Sequence, residues 1–235
     1  MPFNRILLKL SGEAFGGPAG RGLDVEAIER IAREVKGVAD LGVEVAVVVG
    51  GGNMLRGAEL EARGMGRAGA DTMGMLATAV NALAFQDALE RRGRETRVLT
   101  AIEMRTVAEP YIRRRALRHL EKGRIVILAG GTGNPFFTTD TTAALRGAEL
   151  EVDALLKATH VDGVYAADPR VDPKAERFDR LSYLDVLNRR LKVMDATAIT
   201  LCMEHRLPIV VFDLGVDGNI ARVVKGQPVG TRIEP

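Results

Sequence analysis

Six short apolar runs, each separated from the next by a longer stretch of mixed polarity, set the fold class of this chain. The runs are rich in Val, Ile and Leu and lack the alternation of a half-exposed strand, so we expect both faces of their sheet to be covered. The predicted strands are Arg5 to Leu10, Val43 to Val49, Thr96 to Thr100, Arg124 to Leu128, Ala154 to Lys157 and Pro208 to Phe212. The sequence predicts an α/β fold, a three-layer α/β/α sandwich with a mainly parallel central sheet.

The chain has the length of one α/β domain. Its 235 residues lie near the upper size of such a domain, and it contains neither a repeat nor a long linker. We therefore expect a single domain over residues 1–235. The Pro- and Asp-rich stretch from Asp168 to Pro173 is predicted to be an ordered loop and not a domain boundary.

Composition excludes several classes of partner. A formal net charge of +2 does not predict a nucleic-acid surface, and no apolar run approaches the roughly 18 residues of a membrane span. Cys202 is the lone cysteine, which excludes an intrachain disulfide and suits the reducing cytoplasm, where we expect the protein. His119, His160 and His205 show no metal-ligand spacing, so no metal site built from protein side chains is predicted.

Two helices are marked by their apolar residues. The first follows Asp24 as a predicted cap, carries an apolar stripe and ends before Gly42. The second covers Asp71 to Arg92, where the apolar residues spread around more than one face. This second helix is predicted either to be a central core helix or to form part of a subunit interface.

Candidate binding groups follow the first two predicted strands. The first ends in Lys9, Leu10, Ser11 and Gly12, an ammonium beside small residues whose N–H groups can bind anions, although a lone lysine there is more often simply solvated. The second ends in Gly50-Gly51-Gly52-Asn53, followed by Arg56. A tight turn needs one or two glycines, so three of them with an arginine favour a phosphate site.

The fourth strand leads into the segment from Gly130 to Asp140, the most informative part of the sequence. It combines glycines, hydroxyls, an amide, two phenylalanines and a carboxylate. Exposed aromatics are unusual in a simple turn, so we expect a binding loop, in which Thr139 or Asp140 can also cap the next helix. The chain has no Gly-Lys dipeptide and hence no Walker A loop, and neither the triple glycine nor the Thr132 loop completes Gly-x-Gly-x-x-Gly, which argues against a P-loop enzyme and a Rossmann dehydrogenase.

Taken in order, these segments resemble the bacterial UMP kinase branch of the amino-acid kinase family, over essentially the whole chain. The Asn-Pro-Phe-Phe-Thr-Thr-Asp loop and the Asp71 region separate this branch from carbamate, acetylglutamate and aspartate kinases. The motifs that carry the resemblance are Ile6-Leu7-Leu8-Lys9-Leu10-Ser11-Gly12-Glu13, Gly50-Gly51-Gly52-Asn53 with Arg56-Gly57, Asp71 with Met73-Gly74-Met75-Leu76-Ala77-Thr78, Gly131-Thr132-Gly133-Asn134-Pro135-Phe136-Phe137-Thr138-Thr139-Asp140, Leu156-Lys157-Ala158-Thr159 with Asp162-Gly163-Val164, and Lys192-Val193-Met194-Asp195.

The resemblance implies a set of site residues. ATP, carried with Mg²⁺, would contact Lys9, Leu10, Ser11, Gly12, Gly52, Arg56, Thr159, Tyr165 and Asp168. UMP would lie opposite, against Gly51, Asp71, Thr132, Gly133, Asn134, Pro135, Phe136, Phe137, Thr138 and Thr139. The family is also hexameric, activated by GTP and inhibited by UTP, and its effector segments match Gly17, Pro18, Ala19, Gly20, Arg21, Gly22, Arg97 and Arg124.

The acceptor itself predicts the kind of catalysis. The phosphate of UMP has a second pKa of about 6, so its attacking oxygen is already ionised at neutral pH and needs no general base. We therefore assign Lys9 and Arg56 to charge stabilisation. The family resemblance implies that Asp140 and Asp195 act as positioning groups, each holding a cation or the metal shell in place. The alternatives are a kinase of the same fold acting on a carboxylate or carbamate, and a non-catalytic member that binds nucleotides or oxoanions.

Overall fold

Eleven strands and eight α-helices make up the part of the chain that the computed structural model describes, residues 3–169, 171–172 and 174–235. The strands are β1 (Arg5–Leu10), β2 (Glu44–Val49), β3 (Thr96–Thr100), β4 (Glu109–Pro110), β5 (Ile125–Ala129), β6 (Ala154–Thr159), β7 (Val164–Tyr165), β8 (Arg177–Phe178), β9 (Arg180–Ser182), β10 (Ile209–Asp213) and β11 (Thr231–Glu234). The helices are α1 (Val25–Asp40), α2 (Gly57–Ala62), α3 (Arg67–Arg91), α4 (Arg113–Glu121), α5 (Thr139–Glu149), α6 (Tyr183–Asn188), α7 (Ala196–Glu204) and α8 (Asn219–Val224), with a 3₁₀ segment at Gly12–Ala19.

One nine-stranded sheet runs through the molecule in the order β4-β3-β5-β2-β1-β6-β10-β11-β9. The six predicted strands are its six consecutive central members, and each predicted boundary lies within two residues of the observed one. Their ladders are parallel, while β11 runs antiparallel to β10. Strands β7 and β8 form a separate antiparallel hairpin.

Helices cover both faces of the sheet. One hydrophobic core joins α1, α3 and α8 to one face, and a second joins α4, α5, α6 and α7 to the other. Strand β1 contributes to both, because Ile6, Leu8 and Leu10 point into the first core and Leu7 into the second. This double burial explains why the strands read as unbroken apolar runs, and it confirms the predicted three-layer α/β/α fold.

The predicted start of the first helix is confirmed in detail. The side chain of Asp24 accepts a hydrogen bond of 2.9 Å from the N–H of Ala27, and Gly42 follows the helix in a left-handed conformation with φ of 86°. Both are the usual signals at helix ends. Among the described helices, none combines the length and the apolar character that a membrane span requires.

The long helix α3 is partly covered. Its buried side includes Phe85 and Leu89, whereas Leu76, Val80 and Leu83 are 46%, 45% and 37% exposed. These three residues follow the spacing of one helix face, so they form an apolar stripe on the surface of the single chain. The apolar residues of α3 therefore lie on two faces, one packed in the core of the chain and one exposed on its surface.

Candidate active site

Two clefts open near the carboxyl ends of the central strands. The larger cleft, about 490 Å³, is lined by Lys157, Thr159, Val161, Gly163, Val164, Tyr165, Ala166, Ala167, Asp168, Pro169, Arg189, Arg190, Leu191, Lys192, Val193 and Val211. The smaller cleft, about 320 Å³, is lined by Val48, Val49, Gly51, Gly52, Leu55, Gly57, Arg67, Ala70, Asp71, Gly74, Met75, Thr78, Gly131, Phe137, Thr138, Thr139 and Thr142. Ligands of parallel α/β sheets bind at this edge.

Two lysines stand side by side in the sheet. Lys9 on β1 pairs in register with Lys157 on β6. Side chains two positions apart in a strand lie on the same face of the sheet. Leu7 and Leu155, two positions before the lysines, both point into the core beneath α5 and α7, so both ammonium groups emerge on that face. Neighbouring parallel strands lie about 4.8 Å apart, which brings the two positive charges close together.

A single carboxylate holds both ammonium groups. In the first turn of α5, Asp140 places Oδ1 3.0 Å from Nζ of Lys9 and Oδ2 2.7 Å from Nζ of Lys157. The contact with Lys9 is an ion pair without the angles of a hydrogen bond. Burial raises the pKa of the Asp140 carboxyl, but the two lysines outweigh it and hold this pKa below its usual range.

Lys157 is the site residue that the sequence interpretation missed. Its ammonium also donates a hydrogen bond to the carbonyl of Val193, and its side chain is 12% exposed. Burial lowers its pKa, and the attraction of Asp140 opposes that effect. A signal was present in the sequence, because Leu-Leu-Lys recurs near the ends of β1 and β6 with Ser11 or Thr159 two residues later.

Asp195 lies between two helices. Its carboxylate caps α7 by accepting the N–H of Ala198 at 2.9 Å, as expected at a helix N-terminus, where a carboxylate satisfies free N–H groups. It also accepts hydrogen bonds from the hydroxyls of Thr138 and Thr141, at the start of α5. Asp195 thus fixes the relative position of α5 and α7 beside Asp140. Its predicted role of holding a cation or the metal shell stays a prediction.

The cap of α5 differs in residue from the prediction. Thr138 is the N-cap, and its hydroxyl accepts the N–H groups of Asp140 and Thr141 at 3.0 and 3.1 Å. Thr139 and Asp140, the predicted caps, lie one and two positions inside the helix. This leaves the Asp140 carboxylate available for the two lysines.

The three consecutive glycines have different roles. A Cβ on Gly50 would lie 2.8 Å from the backbone N of Gly12, and one on Gly51 would lie 2.5 Å from the carbonyl O of Gly74 in α3. Both positions therefore require glycine for packing. A Cβ on Gly52 would meet nothing within 4 Å, although Gly52 lines the smaller cleft. Gly52 is the glycine that packing does not explain and that a ligand can approach.

Two buried amides fix this glycine turn. Asn53 and Asn81 donate to each other's side-chain oxygens at 2.9 and 2.7 Å, and Asn81 also donates 2.7 Å to the carbonyl of Gly50. Asn53 further bonds the backbone of Gly22, through its side chain at 2.6 Å and its carbonyl at 3.0 Å. The pair connects α3, the glycine turn and the loop that follows the 3₁₀ segment.

Replacing Asn81 by alanine is expected to destabilise the protein by about 1–3 kcal/mol, because the buried Asn53 amide and Gly50 carbonyl lose their partners. Urea denaturation measures this change. The control is Gln86→Ala on the same helix, whose amide contacts the half-exposed Glu90 and the carbonyl of Thr96. Equal stability of the Asn81 and Gln86 variants would contradict this account.

The residues predicted for ATP do not all line one cleft. Thr159, Tyr165 and Asp168 line the larger cleft, whereas Gly52 lines the smaller one. The backbone of Gly12 approaches that of Gly52 so closely that a Cβ on Gly12 would lie 2.4 Å from its N. Arg170 and Pro173, in the predicted 168–173 loop, lie outside the described residues.

Arg56 lies on the surface beside these clefts. It precedes α2 and pairs with Glu13 at 2.7 Å and with Glu59 at 3.7 Å, and its side chain is 43% exposed. Arg56 therefore contrasts with Lys9, which is buried, and with Lys157, whose side chain is only 12% exposed. Its guanidinium can exchange these surface carboxylates for a phosphate at small energetic cost, because exposed ion pairs contribute little stability.

The residues predicted for UMP surround the smaller cleft. Gly51, Asp71, Phe137, Thr138 and Thr139 line it, and the segment Thr132, Gly133, Asn134, Pro135 and Phe136 forms the loop that leads to them. Phe136 and Phe137 are 64% and 50% exposed. This confirms the exposed aromatics expected from the sequence.

The residues predicted for the effector lie in two separate places. Gly17, Pro18, Ala19, Gly20, Arg21 and Gly22 lie at the carboxyl end of the sheet, where Gly22 contacts Asn53. Arg97 and Arg124 lie near the amino ends of β3 and β5. Arg97 lines a third cavity of about 770 Å³ with Gln86, Glu109 and Arg115, whereas Arg124 bonds Glu95 at 2.8 Å.

The fold and this site define a class of protein. Residues 4–213 match the model of the amino acid kinase family, so the chain belongs to that family. The family resemblance read from the motifs is confirmed.

Solved structures narrow the comparison. The chain is 41% identical to UMP kinase from Bacillus anthracis, with a TM-score of 0.97 over 100% of this chain and 97% of that one. It is 33% identical to UMP kinase from Ureaplasma parvum, with a TM-score of 0.94 and full coverage of both chains. Uridylate kinase from Archaeoglobus fulgidus is 31% identical, with a TM-score of 0.76 over 97% of this chain and 99% of that one.

Proposed function

We propose that this chain transfers the γ-phosphoryl group of ATP to the phosphate of UMP, giving UDP and ADP. The observation that carries the proposal is the start of α5. Thr138 and Thr139 line the smaller cleft, and the next residue, Asp140, bonds Lys157, which lines the larger cleft. A donor in one cleft and an acceptor in the other would meet at the paired lysines. The similarity to two bacterial UMP kinases supports UMP as the acceptor.

In the proposed mechanism an oxygen of the UMP phosphate attacks the γ-phosphorus, and the bond from that phosphorus to the β–γ bridging oxygen breaks. The attacking oxygen is already ionised, so the chain supplies positioning and positive charge and no base. Lys9 and Lys157 stabilise the charge that spreads over the transferred group. Asp140 keeps both ammonium groups in place, since its own pKa is held low and it stays ionised.

Mg²⁺ fits this site as an ion carried by ATP. Among the residues that the structure describes, no cluster of three or more Asp, Glu, His or Cys side chains is placed to hold a metal. The Asp140 and Asp195 carboxylates are occupied by lysines, hydroxyls and a helix N-terminus. Mg²⁺ in nucleotide enzymes usually retains waters and binds substrate phosphates, whose charge it partly neutralises.

The proposal assigns the larger cleft to ATP and the smaller cleft to UMP. Tyr165 lies in the larger cleft, with its hydroxyl donating a hydrogen bond of 2.6 Å to Asp162. We assign its ring to contact with the adenine, as in the family resemblance. Asp71 lies in the smaller cleft and accepts the ribose hydroxyls of UMP. Phosphate groups of both substrates point toward Lys9 and Lys157.

The direct test measures ADP release with several acceptors. UMP is expected to give turnover with ATP and Mg²⁺, and carbamate and acetylglutamate are expected to give none above background. CMP tests how strictly the base is read. Binding of ATP without turnover of UMP would instead support a non-catalytic member of the fold that binds nucleotides. Turnover of acetylglutamate or carbamate would support a kinase of the same fold that acts on a carboxylate or carbamate.

Asp71→Asn is expected to raise the KM for UMP about 10-fold with a smaller change in kcat, because an amide matches only half of the acceptor pattern of a carboxylate. The measurement is steady-state kinetics with each substrate varied in turn. A variant that binds UMP normally and loses affinity for ATP would contradict the assignment of the clefts.

Regulation and assembly complete the proposal. GTP activates and UTP inhibits the enzyme, which assembles as a hexamer in the cytoplasm. The exposed apolar stripe of α3, with Leu76, Val80 and Leu83, supports burial against another subunit, and the cavity beside Arg97 supports an effector site. Rates with and without GTP and UTP, together with the native mass, test these points.

A further inference from the structure

Arg67 and Asp71 form a tight pair at the start of α3. The Nε group of Arg67 donates to both carboxylate oxygens of Asp71, at 3.0 and 2.9 Å, across one helical turn. Both side chains line the smaller cleft. Arg67 also approaches Glu61 at 3.7 Å, but this contact is longer and on a more exposed carboxylate. The main partner of the Arg67 guanidinium is thus Asp71.

Asp71 also reaches across the cleft to the aromatic loop. Its Oδ2 accepts a hydrogen bond of 2.8 Å from the N–H of Phe136, which is 65 residues away in the sequence. Phe136 has a φ of 73°, a left-handed conformation that is uncommon for an aromatic residue and has to be stabilised by its surroundings. The Asp71 carboxylate therefore links α3 to the loop that is proposed to surround the uracil.

These contacts leave little freedom in the carboxylate. Two oxygens offer about four acceptor directions, and two N–H donors already contact them: Nε–H of Arg67, shared between both oxygens, and the backbone N–H of Phe136. The orientation that Arg67 imposes decides where the remaining acceptor capacity points. The positive charge of Arg67 also offsets the negative charge of Asp71. This matters because the smaller cleft, in the proposed function, has to admit a phosphate dianion.

We infer that Arg67 is a positioning residue for recognition of the acceptor ribose. It sets the orientation and the local charge of Asp71, so that selectivity for a ribonucleotide over its 2′-deoxy analogue depends on Arg67. This inference rests on the proposed function, in which Asp71 binds the ribose. It assigns no contact between Arg67 and the reacting phosphates.

The experiment compares UMP with 2′-deoxy-UMP in steady-state kinetics of the full-length enzyme. Arg67→Ala is expected to raise the KM for UMP about 10-fold, the scale of one hydrogen bond to a charged group, with kcat within about threefold. The deoxy substrate should be affected less, so the ratio of the two kcat/KM values falls by a similar factor. Arg67→Lys, which keeps the charge but loses the Nε–H that both Asp71 oxygens share, should lie between Arg67→Ala and the unmodified enzyme.

The matched control is Glu61→Gln, which removes the second carboxylate near Arg67 and leaves the Asp71 pair intact, so both KM and selectivity should stay unchanged. If both Arg67 variants keep the original selectivity while Asp71→Asn loses it, the inference is overturned and the placement of UMP survives. If the Arg67 variants lose selectivity while Asp71→Asn keeps it, Arg67 does not act through Asp71 and the inference is overturned. If Asp71→Asn and both Arg67 variants keep it, the ribose placement itself fails.

Discussion

Lys9→Ala is expected to reduce kcat by a factor of about 10²–10³ or more, the scale for losing one preorganised group that stabilises transition-state charge. The fold should survive, because Asp140 retains its hydrogen bond of 2.7 Å with Lys157. Single-turnover rates with saturating ATP and UMP separate this effect from product release. Lys157→Ala should show a loss of comparable size, since the two ammonium groups emerge side by side.

The control for Lys9→Ala is Lys36→Ala. Lys36 pairs with Asp40 one turn later on α1 and belongs to the lining of neither cleft, so its loss should leave turnover unchanged. Near-normal turnover in Lys9→Ala would remove Lys9 from the mechanism. Loss of the helical circular dichroism signal in Lys9→Ala would show instead that Lys9 is required for folding.

Asp140→Asn is expected to have the largest effect on stability, about 3–5 kcal/mol, because it leaves two buried ammonium groups without their shared counter-charge. Turnover should fall with it, because neither lysine is then held in place by the carboxylate. The measurements are urea denaturation and kcat on the same preparations.

A double variant separates the two roles of Asp140. Adding Lys157→Met to Asp140→Asn removes one of the uncompensated charges, so part of the lost stability should return. Turnover should stay low, because a catalytic cation is missing as well. Recovery of turnover together with stability would show that Asp140 acts only by keeping the protein folded and that Lys157 is not a catalytic cation.

The central part of the fold was predictable for a clear reason. Strands buried on both faces carry unbroken Val, Ile and Leu runs, and the six strands of this kind were all identified within two residues. The short strands β4, β7, β8 and β9 were not predicted, since ladders of two or three residues carry no periodic pattern. Strand β11, which pairs antiparallel with β10, was not predicted either.

The site was predictable only in part. Lys9 and the glycine turn could be identified because they directly follow strands, whereas the roles of Asp140 and Asp71 came from the family resemblance. What Asp195 does depends on contacts with Thr138 and Thr141, which lie 57 and 54 residues earlier in the chain. Such pairings depend on how helices pack, so no local pattern reveals them. Lys157 was within reach, through the repeated Leu-Leu-Lys of two neighbouring strands.

The register between β1 and β6 fixes the relative position of Lys9 and Lys157. The spacing of its two ammonium groups is set by the backbone ladder of a buried sheet and not by flexible side chains or loops. A deletion of one residue within either strand would turn its lysine to the opposite face of the sheet. The distance between the two ammonium groups is thus fixed by the sheet, and the phosphate groups of the substrates have to fit it. Point substitutions elsewhere in the clefts do not change this distance.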